Sequence, residues 1–254
     1  SVPDHAIAST PRCSLRGLMK EQRFELPGDA ARGDLPAPAL AMVPEGARRG
    51  VVVIHEIFGP SPEVDRVVWR LAHAGYAASA PDLFFHGRLT CIRSVFAAAG
   101  TGEDVAPVRQ ALRARDWLTS ATGVTKEKIG IVGFCFGGGF ALLSGKHFGV
   151  VSANYGKVPA LEAMRGIAPT IGCFGGRDLS MRGEDRKLDE RLTKLGVPHE
   201  LFVPEDAGHS FLTDGHRPVM SFLSWPIMHV KVDPKNAEAG WARILAFFET
   251  HLAG

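Results

Sequence analysis

Residues 131–139 read Ile131-Val132-Gly133-Phe134-Cys135-Phe136-Gly137-Gly138-Gly139, and this stretch decides the fold. It ends an apolar strand, Ile129–Gly133, and passes without a linker into a helix from Phe136 to about His147. A strand running straight into a helix needs a tight turn, and here the turn falls on Cys135. Such a turn strains the residue at its tip, and small neighbours relieve the crowding. Gly133 and Gly137 supply that room, while Gly138 and Gly139 let the new helix pack close to the sheet. The tip side chain is pushed out over the C-terminal edge of the sheet, at a helix N-terminus where free N–H groups and the dipole favour negative charge. We read a nucleophile elbow with Cys135 as its reactive thiol. Two other readings fit the stretch taken alone. One is a buried cysteine in a strand-to-helix turn. The other is a dinucleotide-binding turn, although G-x-G-x-x-G would need glycine at position 135 and a place on a first βαβ unit.

Working outward, Val51–Ile54 is a wholly apolar β-branched run, the pattern of a buried parallel strand. Val64, Val67, Val68 and Leu71 recur at helical spacing over Val64–Ala74, and Gly75 stops that helix. Tyr76–Ala80 is the next strand, ended by Pro81 and Asp82. Residues 84–102, with Gly87, Gly100 and Gly102, read as an irregular crossing. A second long helix spans Asp104–Ser120. Val150–Asn154, Thr170–Phe174 and Glu200–Val203 are further strands, 182–195 is an outward-charged helix, and Asn236–His251 closes the chain as an amphipathic helix. Upstream, apolar stretches around Phe24 and Ala39–Val43 suggest a hairpin or an irregular meander. The alternation from residue 51 onward predicts an α/β fold with a mostly parallel central sheet and helices on both faces. Residues 1–19 read as an N-terminal arm and 20–254 as a single domain.

The 254 residues are 45% hydrophobic and 22% charged, enough to bury a sizeable core. A net charge of +2 gives no basic imbalance for nucleic acid and no acidic tail. No apolar run suits a membrane span, and no charged segment followed by an apolar one marks a secretory signal. Cys13, Cys91, Cys135 and Cys173 form no C-x-x-C pair, which points to free thiols and a cytoplasmic setting. His55, His86 and His209 share no ligand spacing, so neither a metal nor another cofactor is expected.

Two later sites give the elbow its partners. Cys173-Phe174-Gly175-Gly176-Arg177-Asp178 is a strand end, a turn and an acid. Glu205-Asp206-Ala207-Gly208-His209-Ser210-Phe211 comes after the last strand. Alone, Asp178 is an ordinary turn residue and His209 an ordinary loop histidine. Together with the elbow they stand in the order nucleophile, acid, base, the order of an α/β-hydrolase sheet. An oxyanion hole needs two N–H donors. The Phe136 amide is next after the nucleophile, and the Ile57 amide lies in the loop His55-Glu56-Ile57-Phe58-Gly59 after the Val51–Ile54 strand.

These pieces together resemble the dienelactone hydrolase family. The matching segments are 55–59, Gly75-Tyr76-Ala77-Ala78, Pro81-Asp82-Leu83, 133–138, Gly175-Gly176-Arg177-Asp178 and Ala207-Gly208-His209-Ser210-Phe211. The resemblance covers about residues 20–254. It implies an α/β-hydrolase fold and a triad of Cys135, Asp178 and His209. Glu56 then matches the family's glutamate, which holds the resting thiol and helps to activate it; otherwise it is a solvated loop carboxylate. Members that act on dienelactone grip its carboxylate with two arginines, and this chain has His86 and Thr213 at those positions. Arg88 and Arg93 lie near the first. Phe58, Phe84, Phe85 and Phe134 suggest a more apolar pocket, or core. We take Phe58, Phe134, His86, Arg88 and Tyr155 as substrate contacts.

The expected partner is a small-molecule ester or lactone, cleaved by a monomer through a cysteine thioester, with no nucleic acid or membrane involved. A thiol acyltransferase, or a ligand-binding relative forming a slow adduct at Cys135, is the alternative. A scaffold with an inert Cys135 is a third.

Overall fold

The computed structural model describes residues 19–213, 226–230 and 233–252. The arm read over residues 1–19, apart from Met19, and Cys13 lie outside them. β1 (Met19–Leu26) begins inside the segment read as arm and pairs antiparallel with β2 (Ala37–Pro44), in register from Met19↔Pro44 to Leu26↔Ala37. The upstream segment is therefore a long two-stranded pairing and not an irregular meander. The chain continues through β3 (Gly50–Ile54), α1 (Pro62–His73), β4 (Ala77–Pro81), α2 (Arg88–Thr101), α3 (Ala106–Thr122) and β5 (Ile129–Phe134). Then come α4 (Phe136–Ser144), β6 (Val151–Asn154), β7 (Thr170–Cys173), α5 (Glu184–Leu195), β8 (His199–Phe202) and α6 (Pro234–Leu252).

The strands form one eight-stranded sheet in the order β1-β2-β4-β3-β5-β6-β7-β8. β2 pairs antiparallel with β1 and β4, and every other pairing is parallel. Side chains alternate between the two faces of each strand. In β3, Val51 and Val53 enter the core beneath α1 and α6, while Val52 and Ile54 enter the core beneath α2, α3, α4 and α5. All five β3 residues are buried, which is why the strand reads as a continuous apolar run.

One segment differs from the sequence expectation. Residues 88–101 of the supposed irregular crossing are helix α2, which buries Cys91, Val95 and Ala98. Its ends explain why its sequence hides it. Gly87 stands at the N-cap with no side-chain cap, and Gly102 closes the helix at φ 77°, donating to the Ala98 carbonyl at 2.6 Å.

Strand register puts five strand ends in one row. Ile54 pairs with Gly133, Phe134 with Asn154, Asn154 with Cys173, and Cys173 with Phe202. The loops leaving these five strands therefore emerge on the same edge of the sheet.

Candidate active site

Cys135 leaves β5 at φ 54°, ψ −114°, and α4 begins at the next residue. Positive φ is costly for a residue with a side chain. Among the described residues it occurs in Cys135, Tyr155, Ser210 and His229. The first three border this edge of the sheet; the fourth backs it, because the His229 carbonyl lies against Gly208. The strain is therefore concentrated where the side chains converge. The turn is held by Asn154, whose carbonyl accepts from the Cys135 N–H at 3.0 Å and whose side-chain amide donates to the Gly133 carbonyl at 3.0 Å. It closes only because its neighbours are glycines. A Cβ on Gly133 would lie 1.9 Å from the Gly137 carbonyl oxygen, and one on Gly137 would lie 2.6 Å from that of Ile54.

His209 hangs from the loop after β8. Its N–H donates to the Met228 carbonyl at 2.7 Å, and its ring lies 5.0 Å from that of Tyr155. Its Nδ1 hydrogen-bonds Asp178 Oδ2 at 2.5 Å, with both side chains buried. Ser180 saturates the other carboxylate oxygen through its N–H at 3.0 Å and its hydroxyl at 2.5 Å. Both Asp178 oxygens are thus committed, and the carboxylate has one orientation. The remaining imidazole nitrogen, Nε2, is buried and makes no hydrogen bond of good geometry among the described residues. Burial opposes charge on the ring. Hydrogen bonding to Asp178, and the adjacent Cys135 sulfur, outweigh burial and raise the His209 pKa to about 10.

Glu56 sits across this edge and accepts from the Ser210 hydroxyl at 3.3 Å. The loop carrying Glu56 and Ile57 is set by His55, which is buried. The Leu83 N–H donates to His55 Nε2 at 3.0 Å, so Nδ1 carries the proton and donates to the Glu56 carbonyl at 2.8 Å. Among the described residues, the Ile57 and Phe136 amides donate to no other backbone carbonyl outside helices and strands. Both are at the same edge, Phe136 beside Cys135 in sequence and Ile57 on the loop after the neighbouring strand β3.

The expected substrate contacts divide. Phe58 is 51% exposed on the loop after β3. Phe134 is buried against Tyr155 and Trp241, with ring centroids at 6.2 and 5.8 Å. It belongs to the core under α1 and α6, because the side chain before the elbow points into that face. Tyr155 is fully buried, backs the imidazole, and places its hydroxyl 3.3 Å from Thr213 Oγ1. Burial first, and then the Glu56 charge, push its pKa well above the ordinary phenol value, so it is a neutral phenol. His86 stacks on Phe85, accepts from the Leu35 N–H at 3.4 Å and lies 3.9 Å from Asp34. Arg88 is exposed at the first turn of α2. Thr213 is buried and donates to the Ser210 carbonyl at 3.2 Å. Neither of the two positions where the resemblance expects an arginine thus presents a guanidinium. No group of three His, Cys, Asp or Glu among the described residues could hold a metal ion. Asn154, Ser180 and His55 are positioning residues that sequence reasoning does not single out.

The dienelactone hydrolase family profile matches residues 37–252. The chain belongs to the dienelactone hydrolase family. A relative from Yersinia pestis is 30% identical over 221 residues, covering 79% of this chain and 78% of its own. The carboxymethylenebutenolidase of Rhodococcus opacus is 29% identical over 244 residues, covering 87% and 88%. The fold is also that of a dienelactone hydrolase-like promiscuous phosphotriesterase from metagenomic libraries, with a TM-score of 0.74 at 22% identity over 92% of this chain and 99% of the other. This family member is accordingly a hydrolase with an α/β-hydrolase fold. Among its described residues no helix is long and apolar enough to cross a membrane.

Proposed function

We propose that this hydrolase cleaves a carboxylic ester or lactone through a thioester on Cys135. The observation that carries this reading is the buried His209–Asp178 hydrogen bond standing behind a cysteine forced into positive φ at a helix start. The His209 imidazolium, favoured by its raised pKa, pairs with the Cys135 thiolate. The thiolate attacks the carbonyl carbon, and the electron pair moves onto oxygen, held by the Ile57 and Phe136 amides. Collapse breaks the ester C–O bond, and His209 gives its Nε2 proton to the leaving oxygen. Asp178 holds the proton on Nδ1 throughout, so Nε2 is the nitrogen that exchanges.

Acylation also changes the base. A thioester carries no charge, so the Cys135 contribution that raised the His209 pKa disappears. The imidazole then takes a proton from water, the hydroxide adds to the thioester, and the C–S bond breaks to regenerate thiolate and imidazolium. Glu56 serves as an acceptor for the Cys135 S–H whenever the sulfur is in its protonated form and not paired with the imidazolium.

Cys135→Ala is expected to lower kcat/KM for p-nitrophenyl acetate by at least about 10³-fold while its denaturant midpoint stays near that of the parent. Unchanged turnover in that variant would sink the proposal. A persistent acyl mass on Cys135 with no product released would assign the acyltransferase or adduct-forming reading instead.

A further inference from the structure

We propose that the substrate is an uncharged ester or lactone whose largest group is apolar, seated on an aromatic ledge of Phe58, Phe84 and Phe96 that is backed by the buried Phe136. This rests on the hydrolytic reading of Cys135 and adds the substrate class. The ledge starts at the elbow itself. Phe136, the residue after Cys135, has its ring 5.8 Å from Phe84 and 6.2 Å from Phe96. Phe84 also packs against His55 at 4.5 Å and lies next to Gly59, the residue after Phe58. Phe96, at the outer end of these rings, is 55% exposed, and Phe58, on the loop beside Gly59, is 51% exposed. Leu89, 68% exposed, continues the same side of α2 two helical turns before Phe96. Exposed apolar surface of this kind marks a site that something apolar covers, and here it rests on Phe136, a core ring only 8% exposed and one residue from the nucleophile.

Charge argues in the same direction. Thr213 is buried and spent on Tyr155 and Ser210, and His86 faces Leu35 and Asp34. Arg109 and Arg113 are both turned onto Asp34, and Arg109 also pairs with Asp104. Glu56, on the β3 loop, accepts from the Ser210 hydroxyl and offers no donor to a substrate carboxylate. Arg88 and Arg93 are exposed on α2.

The test compares p-nitrophenyl acetate, hexanoate and hydrogen succinate on the intact protein. A fully buried methylene is worth about fourfold in affinity. Half-burial of the four extra methylenes on the ledge therefore makes hexanoate about fifteenfold better than acetate in kcat/KM. The hydrogen succinate ester should be no better than acetate. Phe96→Ser, an exposed position, should raise KM for hexanoate with little change in kcat and reduce the preference to about threefold. Equal rates on acetate and hexanoate, or preference for the hydrogen succinate ester, overturns the ledge alone. A wild-type dimer that Phe96→Ser dissociates, with chain-length preference intact, assigns the ledge to a second copy and overturns it as well. Failure on all three esters overturns the hydrolytic reading and the ledge with it.

Discussion

At the scale of single residues, Asp178 does two things that can be separated. It fixes the tautomer of His209, and it helps to keep the ring charged. Asp178→Asn keeps the shape but removes the charge. It can also turn an N–H toward Nδ1, which then holds the wrong tautomer. We expect kcat to fall by about 10³ to 10⁴-fold, read by ester turnover at saturating substrate. The same pair sets a pH window for stability. The folded pKa of His209, about 10, lies above the free value of about 6.5. Its contribution is complete below about pH 6.5 and is lost as pH rises through about 10. Urea unfolding at pH 6.5, 8.5 and 10 should show the parent losing stability faster than His209→Gln over that range. Cys135→Ala should move the loss to lower pH, because one of the groups favouring the cation is gone. Cys135, Asp178 and His209 are legible in the sequence because each is a chemically distinctive residue soon after a strand. Asn154 and Ser180 are not, since an asparagine ending a strand and a serine in a turn look alike wherever they occur. Phe134, expected at the substrate and found in the core, is illegible for another reason. When both faces of a strand are buried, apolar alternation vanishes and cannot say which face a ring enters.

At the scale of elements, the elbow depends on how closely α4 approaches β3. Gly137→Ala puts a methyl 2.6 and 2.7 Å from the carbonyl oxygens of Ile54 and His55. Those oxygens belong to backbone that cannot move without breaking the β3–β5 ladder. We expect a loss of about 1–3 kcal/mol or more, seen as a lower denaturant midpoint, together with lost activity because the Ile57 amide shifts with the loop. The elbow is readable because its glycines, its strand and its helix all agree. Helix α2 is not. Its glycines sit at both ends and at position 100, it has no side-chain cap, and apolar residues fall on several sides at once. That last property has a physical cause: one side of α2 meets the core, while Leu89 and Phe96 are left outside it.

At the scale of the whole molecule, the antiparallel β1–β2 pair is tied to the helical layer by one buried carboxylate. Asp34 accepts from Arg109 at 2.6 and 2.7 Å and from Arg113 at 2.7 Å. The Arg109 hydrogen bond leads the causes that pull the Asp34 pKa down to about 2, against the opposing effect of burial. Its contribution is therefore present above the free value of about 4 and lost as pH falls through about 2. Asp34→Ala leaves the partly buried Arg113 guanidinium without a counter-charge and Arg109 with Asp104 alone at 3.5 Å, and should cost about 2–4 kcal/mol, measured by chemical unfolding at pH 7. The parallel pairing is implied by the alternation of elements, but this clamp is not. Its members are far apart in sequence, and nothing in their local pattern announces that they meet.

The strand-end row has a temporal meaning. Cys135 emerges from synthesis with β5, whereas Asp178 and His209 arrive later, on the loops after β7 and β8, and the Glu56–Ser210 contact joins positions 154 residues apart. A growing chain therefore exposes its thiol before the groups that would arm it. Reactivity toward an alkylating reagent becomes a clock for completion of the sheet: a chain stopped before His209 should react as an ordinary cysteine does, and the finished protein should not.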